Sequence, residues 1–162
     1  IPPLPPRHAA RLSDLPVMRV PLVAALPASS VPHRGRGEPP DWLDTPVSLA
    51  EVAQLPLVIF PRRLAPGFYD IITACYGAAG LTPRIGQEAI QMQTIVSLVS
   101  AGMGAALVPQ SLRNLRRTGV VYRPLAERTP LVETGLVWRT AEVSPVLAGF
   151  IEIVRAHAKT HS

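Results

Sequence analysis

Gln91-Met92-Gln93-Thr94-Ile95-Val96-Ser97-Leu98-Val99-Ser100-Ala101, then Gly102-Met103-Gly104, then Ala105-Ala106-Leu107-Val108-Pro109, is the stretch on which the fold turns. Residues 91–101 are apolar on most sides, the pattern of a buried helix. The two glycines supply a turn, and 105–108 is a short apolar run closed by proline, the pattern of a buried strand. A helix that feeds a buried strand through a glycine turn is one half of an α/β unit.

Outward from this stretch the same rhythm continues. Upstream, 84–89 reads as a strand, and a helix runs from about Gly67 to Gly80, a plausible left-handed residue just past its end. Leu57-Val58-Ile59-Phe60 is a buried-type strand. Ser48-Leu49-Ala50-Glu51 is a capping box, in which the serine hydroxyl and the glutamate carboxylate each take a free amide at a helix start; that helix runs to about Gln54. Downstream, Ser111 caps a helix to about Arg117, and 120–122 and 132–138 are strands. Ser144-Pro145 opens a last helix with Val146, Leu147, Phe150, Ile151 and Val154 on one stripe. Near the start, 22–26 is a short apolar strand, residues 28–46 are a surface loop, and 1–16 are a connector. Fourteen of the 19 prolines lie in the first 66 residues, where they limit helix to short pieces. Strands alternating with helices predict an α/β fold, with a largely parallel sheet whose core is 22–26, 57–60, 84–89 and 105–108.

Composition bounds the function classes. The 162 residues suffice for one compact domain, and 48% hydrophobic with 17% charged residues suits a globular core. No apolar run spans a bilayer, and Ile1-Pro2-Pro3-Leu4-Pro5-Pro6 lacks the basic start and apolar core of a signal peptide. The lone Cys75 forms no intramolecular disulfide and sits among apolar neighbours as an inert thiol, which fits a cytoplasmic setting. The four histidines are scattered; His157 and His161 share a helix spacing but have no acidic or thiol neighbour to complete a metal site. The net charge of +5 comes from 15 arginines and one lysine. Only Arg113, Arg116 and Arg117 cluster, on one face if helical, and they read either as a solvated face or as a phosphate-contacting patch.

Tests for chemistry are negative. The chain has no Walker loop, G-x-G-x-x-G, G-x-S-x-G or H-E-x-x-H motif, and no pair of carboxylates spaced for acid/base work. No catalytic residue, metal or cofactor is expected. One loop has a mechanism. Pro61 to Phe68 joins the carboxyl end of a strand to a helix start, the place where open α/β sheets bind ligands. The first helix amides are unpaired there and the helix dipole favours an anion. Gly67 admits close approach to the backbone, Phe68 offers an apolar wall, and Arg62 and Arg63 are near in sequence. The same residues also read as an ordinary loop with a Pro-Gly turn.

Three blocks carry a resemblance. Val47–Ala53 with Leu57–Pro61 resembles the segment before the effector loop of LysR-type transcriptional regulators. Pro66-Gly67-Phe68-Tyr69-Asp70 resembles the loop and helix start of members that sense acids from aromatic catabolism. The 91–109 block is the most specific, and the match runs from about residue 17 to 155. The resemblance implies a periplasmic-binding-protein-like (type 2) effector domain: residues 1–18 a connector, 19–128 the complete second subdomain, and 129–162 the return strand and C-terminal helix of a partial first subdomain. It implies a small aromatic or dicarboxylic acid effector, held by Pro66, Gly67, Phe68 and Arg62 with Gln91 and Gln93. It also implies DNA contact only through a helix-turn-helix that has no counterpart in these 162 residues, no membrane partner, and impaired oligomerisation. Two other readings stay open: a solute-binding protein of related fold working in transport, and an incomplete gene product without independent function. Direct binding of nucleic acid rests on charge alone.

Overall fold

The structure, a computed structural model, describes residues 11–31, 45–115 and 117–160, with side chains through Ala158. The elements run β1 (Leu12–Val20), β2 (Leu22–Pro27), α1 (Leu49–Val52), β3 (Leu57–Ile59), α2 (Pro66–Ala78), β4 (Ile85–Glu88), α3 (Met92–Ser100), β5 (Ala106–Pro109), β6 (Val120–Pro124), β7 (Val132–Arg139) and α4 (Pro145–Thr160). They fall into two compact units, residues 21–130 and residues 1–20 with 131–162.

In the 21–130 unit, β2 lies between β5 and β6 and is antiparallel to both. β3 pairs with β4 in parallel, and a parallel bridge, Leu57 to Ala105, links β3 to the start of β5. The expectation of a largely parallel sheet therefore needs correction. Strands joined through a helical crossover do run the same way: β3, β4, β5 and β6. β2 is the exception because no crossover precedes it; the chain enters the unit through Pro21 and inserts β2 between β5 and β6. The pattern of alternating elements reports only on sequential neighbours, so it cannot show this insertion.

Local chemistry explains the helices. Ser48 and Glu51 make the expected capping box, with the Glu51 amide donating to Ser48 Oγ at 3.2 Å and the Ser48 amide donating to Glu51 Oε2 at 3.0 Å. Both oxygens of Glu127 also accept the Leu49 amide, at 2.9 and 3.0 Å, which ties α1 to the segment after β6. α1 ends at Val52 rather than near Gln54. α2 ends as expected, with Gly80 at φ +70° just beyond its last turn. α3 buries Ile95, Val96 and Val99, while Gln93 and Thr94 are exposed, so its burial is one face rather than most sides. The helix expected from Ser111 to Arg117 is a 3-10 segment, Gln110–Asn114, with no side-chain cap. Leu115 leaves helical geometry at ψ 80°, so Arg113 and Arg117 do not share a helix face; Arg116 lies outside the described residues. So does most of the expected 28–46 loop, residues 32–44.

The core gathers Val23 and Ala25 from β2, Val58 from β3, Ile95, Val96 and Val99 from α3, and Ala106 and Val108 from β5. Tyr76 of α2 is 1% exposed, and burial pushes its hydroxyl up to about 12. The neutral phenol is thus the folded form between its ordinary value, about 10, and about 12. The unfolded chain releases this proton first, so stability is full below pH 10 and falls as pH rises toward 12. Burial shifts Tyr122 and Cys75 in the same direction. Tyr76→Phe is expected to remove this alkaline loss, about 1.4 kcal/mol by pH 11. Urea titrations at pH 8 and pH 11 check it: the variant and the parent should diverge only at the higher pH.

The other unit is a two-stranded antiparallel ribbon, β1 with β7, carrying α4 on β1. Residues 12–18, expected to be connector, are strand; residues 1–10 lie outside the described residues. Pro16 hides this strand in the sequence, because proline within a run argues against a ladder. Here the ladder accommodates it with a register shift between Pro16 and Met18. α4 starts as expected, with the Leu147 amide on Ser144 Oγ at 3.2 Å. Its single stripe resolves into two faces. Ile151 and Ala158 are buried and Leu147 and Val154 half-buried, whereas Val146, Phe150 and Ile153 are 84, 51 and 69% exposed.

Candidate functional site

The parallel register of β3 and β4 brings two helix starts to one edge of the sheet. Ile59 pairs with Glu88, and the Ala89 amide donates to the Ile59 carbonyl at 3.0 Å. β3 then runs through Phe60 and the Pro61–Ala65 loop into α2, and β4 runs through Ala89 and Ile90 into α3. β3 and β5 are linked neighbours whose onward connections reach β4 on one side and β6 on the other. That is a topological switch point, where crevices form outside the carboxyl ends of strands.

α2 begins at Pro66 with Ala65 as its N-cap, and no side chain caps it. Its first intrahelical bond is the Tyr69 amide to the Ala65 carbonyl, 2.9 Å. Pro66 has no N–H, so the amides of Gly67 and Phe68 are the two helix-start donors without an intrahelical acceptor. A Cβ added at Gly67 would meet nothing within 4 Å, so the backbone there is open to approach. Gln91 is the N-cap of α3, again without a side-chain cap bond, and its carbonyl accepts the Ile95 amide at 3.0 Å. Gln93 is exposed in the first turn, and its carbonyl accepts Ser97 Oγ at 2.6 Å.

Two expected contributors sit differently from the sequence reading. Phe68 is 4% exposed, backbone included, and its ring packs edge-on against Phe60, centroids 5.8 Å apart, so it is core rather than an open wall. The exposed apolar residues on this edge are Leu64 and Ile90, at 47 and 64%. Arg62 is engaged by Asp70: Nε donates to Oδ1 at 2.8 Å and a terminal nitrogen to Oδ2 at 3.0 Å. The pair holds the Asp70 carboxyl below its ordinary value, by hydrogen bond first and charge second. Residues eight apart across a loop follow no helix or strand period, so no sequence signal announces the pair.

Elsewhere in the unit, a concavity of about 350 Å³ lies at the carboxyl ends of β5 and β6, with Gln110, Arg113, Arg128 and Thr129 in its lining. Cys75 is buried, and desolvation raises its thiol, which keeps it protonated. Among the described residues no three of His, Cys, Asp and Glu come together as a metal ion would need. Nor is any described helix long and apolar enough to cross a membrane.

Known proteins agree with this architecture. The profile of the LysR substrate binding domain matches residues 3–159. The HTH-type transcriptional regulator IlvR of Caulobacter vibrioides is 53% identical over 117 residues, covering 72% of this chain and 39% of the regulator. The chain thus spans well under half the length of that relative. Among solved structures, the LysR family transcriptional regulator CbnR superposes with a TM-score of 0.77 at 23% identity, covering 97% of this chain and 51% of CbnR. The effector binding domain of BenM, solved with its effector benzoate, superposes with a TM-score of 0.73 at 22% identity, covering 98% of this chain and 68% of that domain. These relatives are regulators rather than enzymes, and their effector domains have the periplasmic-binding-protein-like fold. The chain belongs to the LysR substrate-binding-domain family.

Proposed function

We propose that this chain is the effector-sensing part of a LysR-type transcriptional regulator acting in the cytoplasm. It recognises a small aromatic or dicarboxylic acid, and it reaches DNA through a helix-turn-helix outside these residues. The 21–130 unit corresponds to the second subdomain of the family, and the ribbon with α4 to part of the first. The observation that carries the reading is the start of α2 at Gly67 and Phe68, which has no side-chain cap among the described residues, at the switch point of a sheet that superposes on effector domains. The effector's carboxylate accepts from the amides of these two residues. Its apolar body rests near Pro66, Leu64 and Ile90, and the side-chain amides of Gln91 and Gln93 supply further bonds. From this one surface the affinity is millimolar, about 4 kcal/mol.

Two substitutions at one position test the carboxylate contact. Gly67→Pro removes a donor and is expected to weaken benzoate by about 1–3 kcal/mol. Gly67→Ala keeps the amide, meets nothing within 4 Å, and gains up to about 1 kcal/mol of helix propensity. Ligand-observed NMR titration should rank parent and Gly67→Ala together and Gly67→Pro well below. Equal affinities for all three variants would remove the amides from the site.

For assembly, the proposal is a monomer that associates weakly as concentration rises, through the apolar face of Val146, Phe150 and Ile153. Phe150→Glu is expected to abolish this association in light scattering. A discrete dimer at low micromolar concentration, indifferent to Phe150→Glu, would contradict it.

A further inference from the structure

The loop between β3 and α2 is anchored at both ends and weakly held between them. Pro61 is buried at one end, and the Phe68 ring is locked against Phe60 at the other. Arg62, Arg63 and Leu64 are exposed between these anchors, and one backbone bond, the Leu64 amide to the Pro61 carbonyl at 3.0 Å, shapes the turn. The helix start has no side-chain cap, since Ala65 has nothing to offer. Among the described residues, the Arg62–Asp70 pair is the side-chain tie that spans the loop, from its first exposed residue to the second turn of α2. Arg63 has no such partner there.

We propose that Arg62 and Asp70 are a positioning pair: the bidentate fork fixes the Pro61–Ala65 loop so that the Gly67 and Phe68 amides stand ready, and Arg62 acts through Asp70 rather than on the acid itself. This rests on the acid-binding reading above. Both oxygens of Asp70 are used, and Arg62 gives them Nε and one terminal nitrogen, one edge of the guanidinium. A planar fork on a carboxylate restricts direction as well as distance, which a point charge does not. A carboxylate ligand reaching Arg62 would meet a guanidinium whose Nε edge Asp70 already takes and whose charge Asp70 already offsets.

The two roles for Arg62 predict opposite signs. If Arg62 binds the acid directly, Asp70→Asn removes a competitor and benzoate binds more tightly. If the pair positions the loop, Asp70→Asn and Arg62→Ala loosen the same amides and weaken benzoate alike. The experiment is amide hydrogen exchange of the unliganded chain, followed by benzoate titration, on both single variants, the double variant and the charge swap of Arg62→Asp with Asp70→Arg. We expect each single variant to speed exchange at Leu64 and Tyr69, whose amides are hydrogen-bonded to the Pro61 and Ala65 carbonyls, and to weaken benzoate by up to about fivefold, the upper end for an exposed pair. The double variant should be no worse than either single one, and the swap should recover most of the loss. Tighter benzoate binding by Asp70→Asn, or unchanged exchange in both single variants, overturns the proposal. Should benzoate leave Gly67 and Phe68 untouched in the parent chain, the acid site falls by itself, and the exchange data still decide the pair.

Discussion

Gly104→Ala is expected to destabilise the 21–130 unit by about 3 kcal/mol or more, from overpacking added to an unfavourable backbone region. Gly104 holds φ +152°, and a Cβ there would stand 2.1 Å from the Pro56 carbonyl oxygen and 3.0 Å from its carbon. Both neighbours are backbone, so no side chain can swing away. The crossing is also where β3 and β5 meet: the Ala105 amide donates to the Pro56 carbonyl at 2.9 Å, and the Val58 amide to the Ala105 carbonyl at 2.8 Å. Relieving the clash separates the strands that form the switch point. Thermal unfolding should fall by at least about 10 °C, given roughly 4–8 °C per kcal/mol for a domain of this size. A shift of under 2 °C would mean that β3 does not pass as close as described.

The second large effect belongs to the β1–β7 ribbon. Gly135 faces Pro16 across the ladder, and an added Cβ would lie 2.3 Å from the Leu15 carbonyl oxygen and 3.0 Å from the Pro16 Cα. The missing side chain lets the irregular Pro16–Met18 stretch cross β7. A ribbon of two strands is marginal by itself and depends on the helix packed on it. Gly135→Ala, costing about 2–3 kcal/mol by overpacking, is therefore expected to dissolve the β1–β7 pairing. Cross-strand contacts between Ser13 and Trp138 and between Val20 and Val132, seen by nuclear Overhauser effects, should disappear. Their persistence in the variant would contradict the described register.

The two glycines show where the sequence is readable and where it is not. Gly104 belongs to a helix-turn-strand block whose periodicity already predicts α3 and β5, because burial on a helix face and in a short apolar strand leaves a compositional trace. Gly135 leaves none: its role depends on Pro16, over a hundred residues away, and proline itself argues against the strand it sits in. The same division runs through the site. The strand followed by a Pro-Gly helix start is legible, and the proposal of an anion at Gly67 and Phe68 starts from it. That the Phe68 ring turns inward to Phe60, and that Asp70 claims Arg62, depends on tertiary packing and a loop crossing, which follow no local period. The antiparallel insertion of β2 is hidden for a related reason, since alternation of elements carries the direction of consecutive strands but not the place of a strand that enters from elsewhere.

The measurement that bears most directly on acid sensing at the β3–α2 edge is an amide-resolved benzoate titration of the intact chain. The account predicts saturable shifts largest at Gly67 and Phe68, smaller ones at Gln91 to Gln93, and little change around Arg113 and Arg117. Shifts that gather at Arg113 to Arg117, fade with added salt and leave residues 61–68 silent would show nonspecific attraction of an anion to arginines, and would contradict the site.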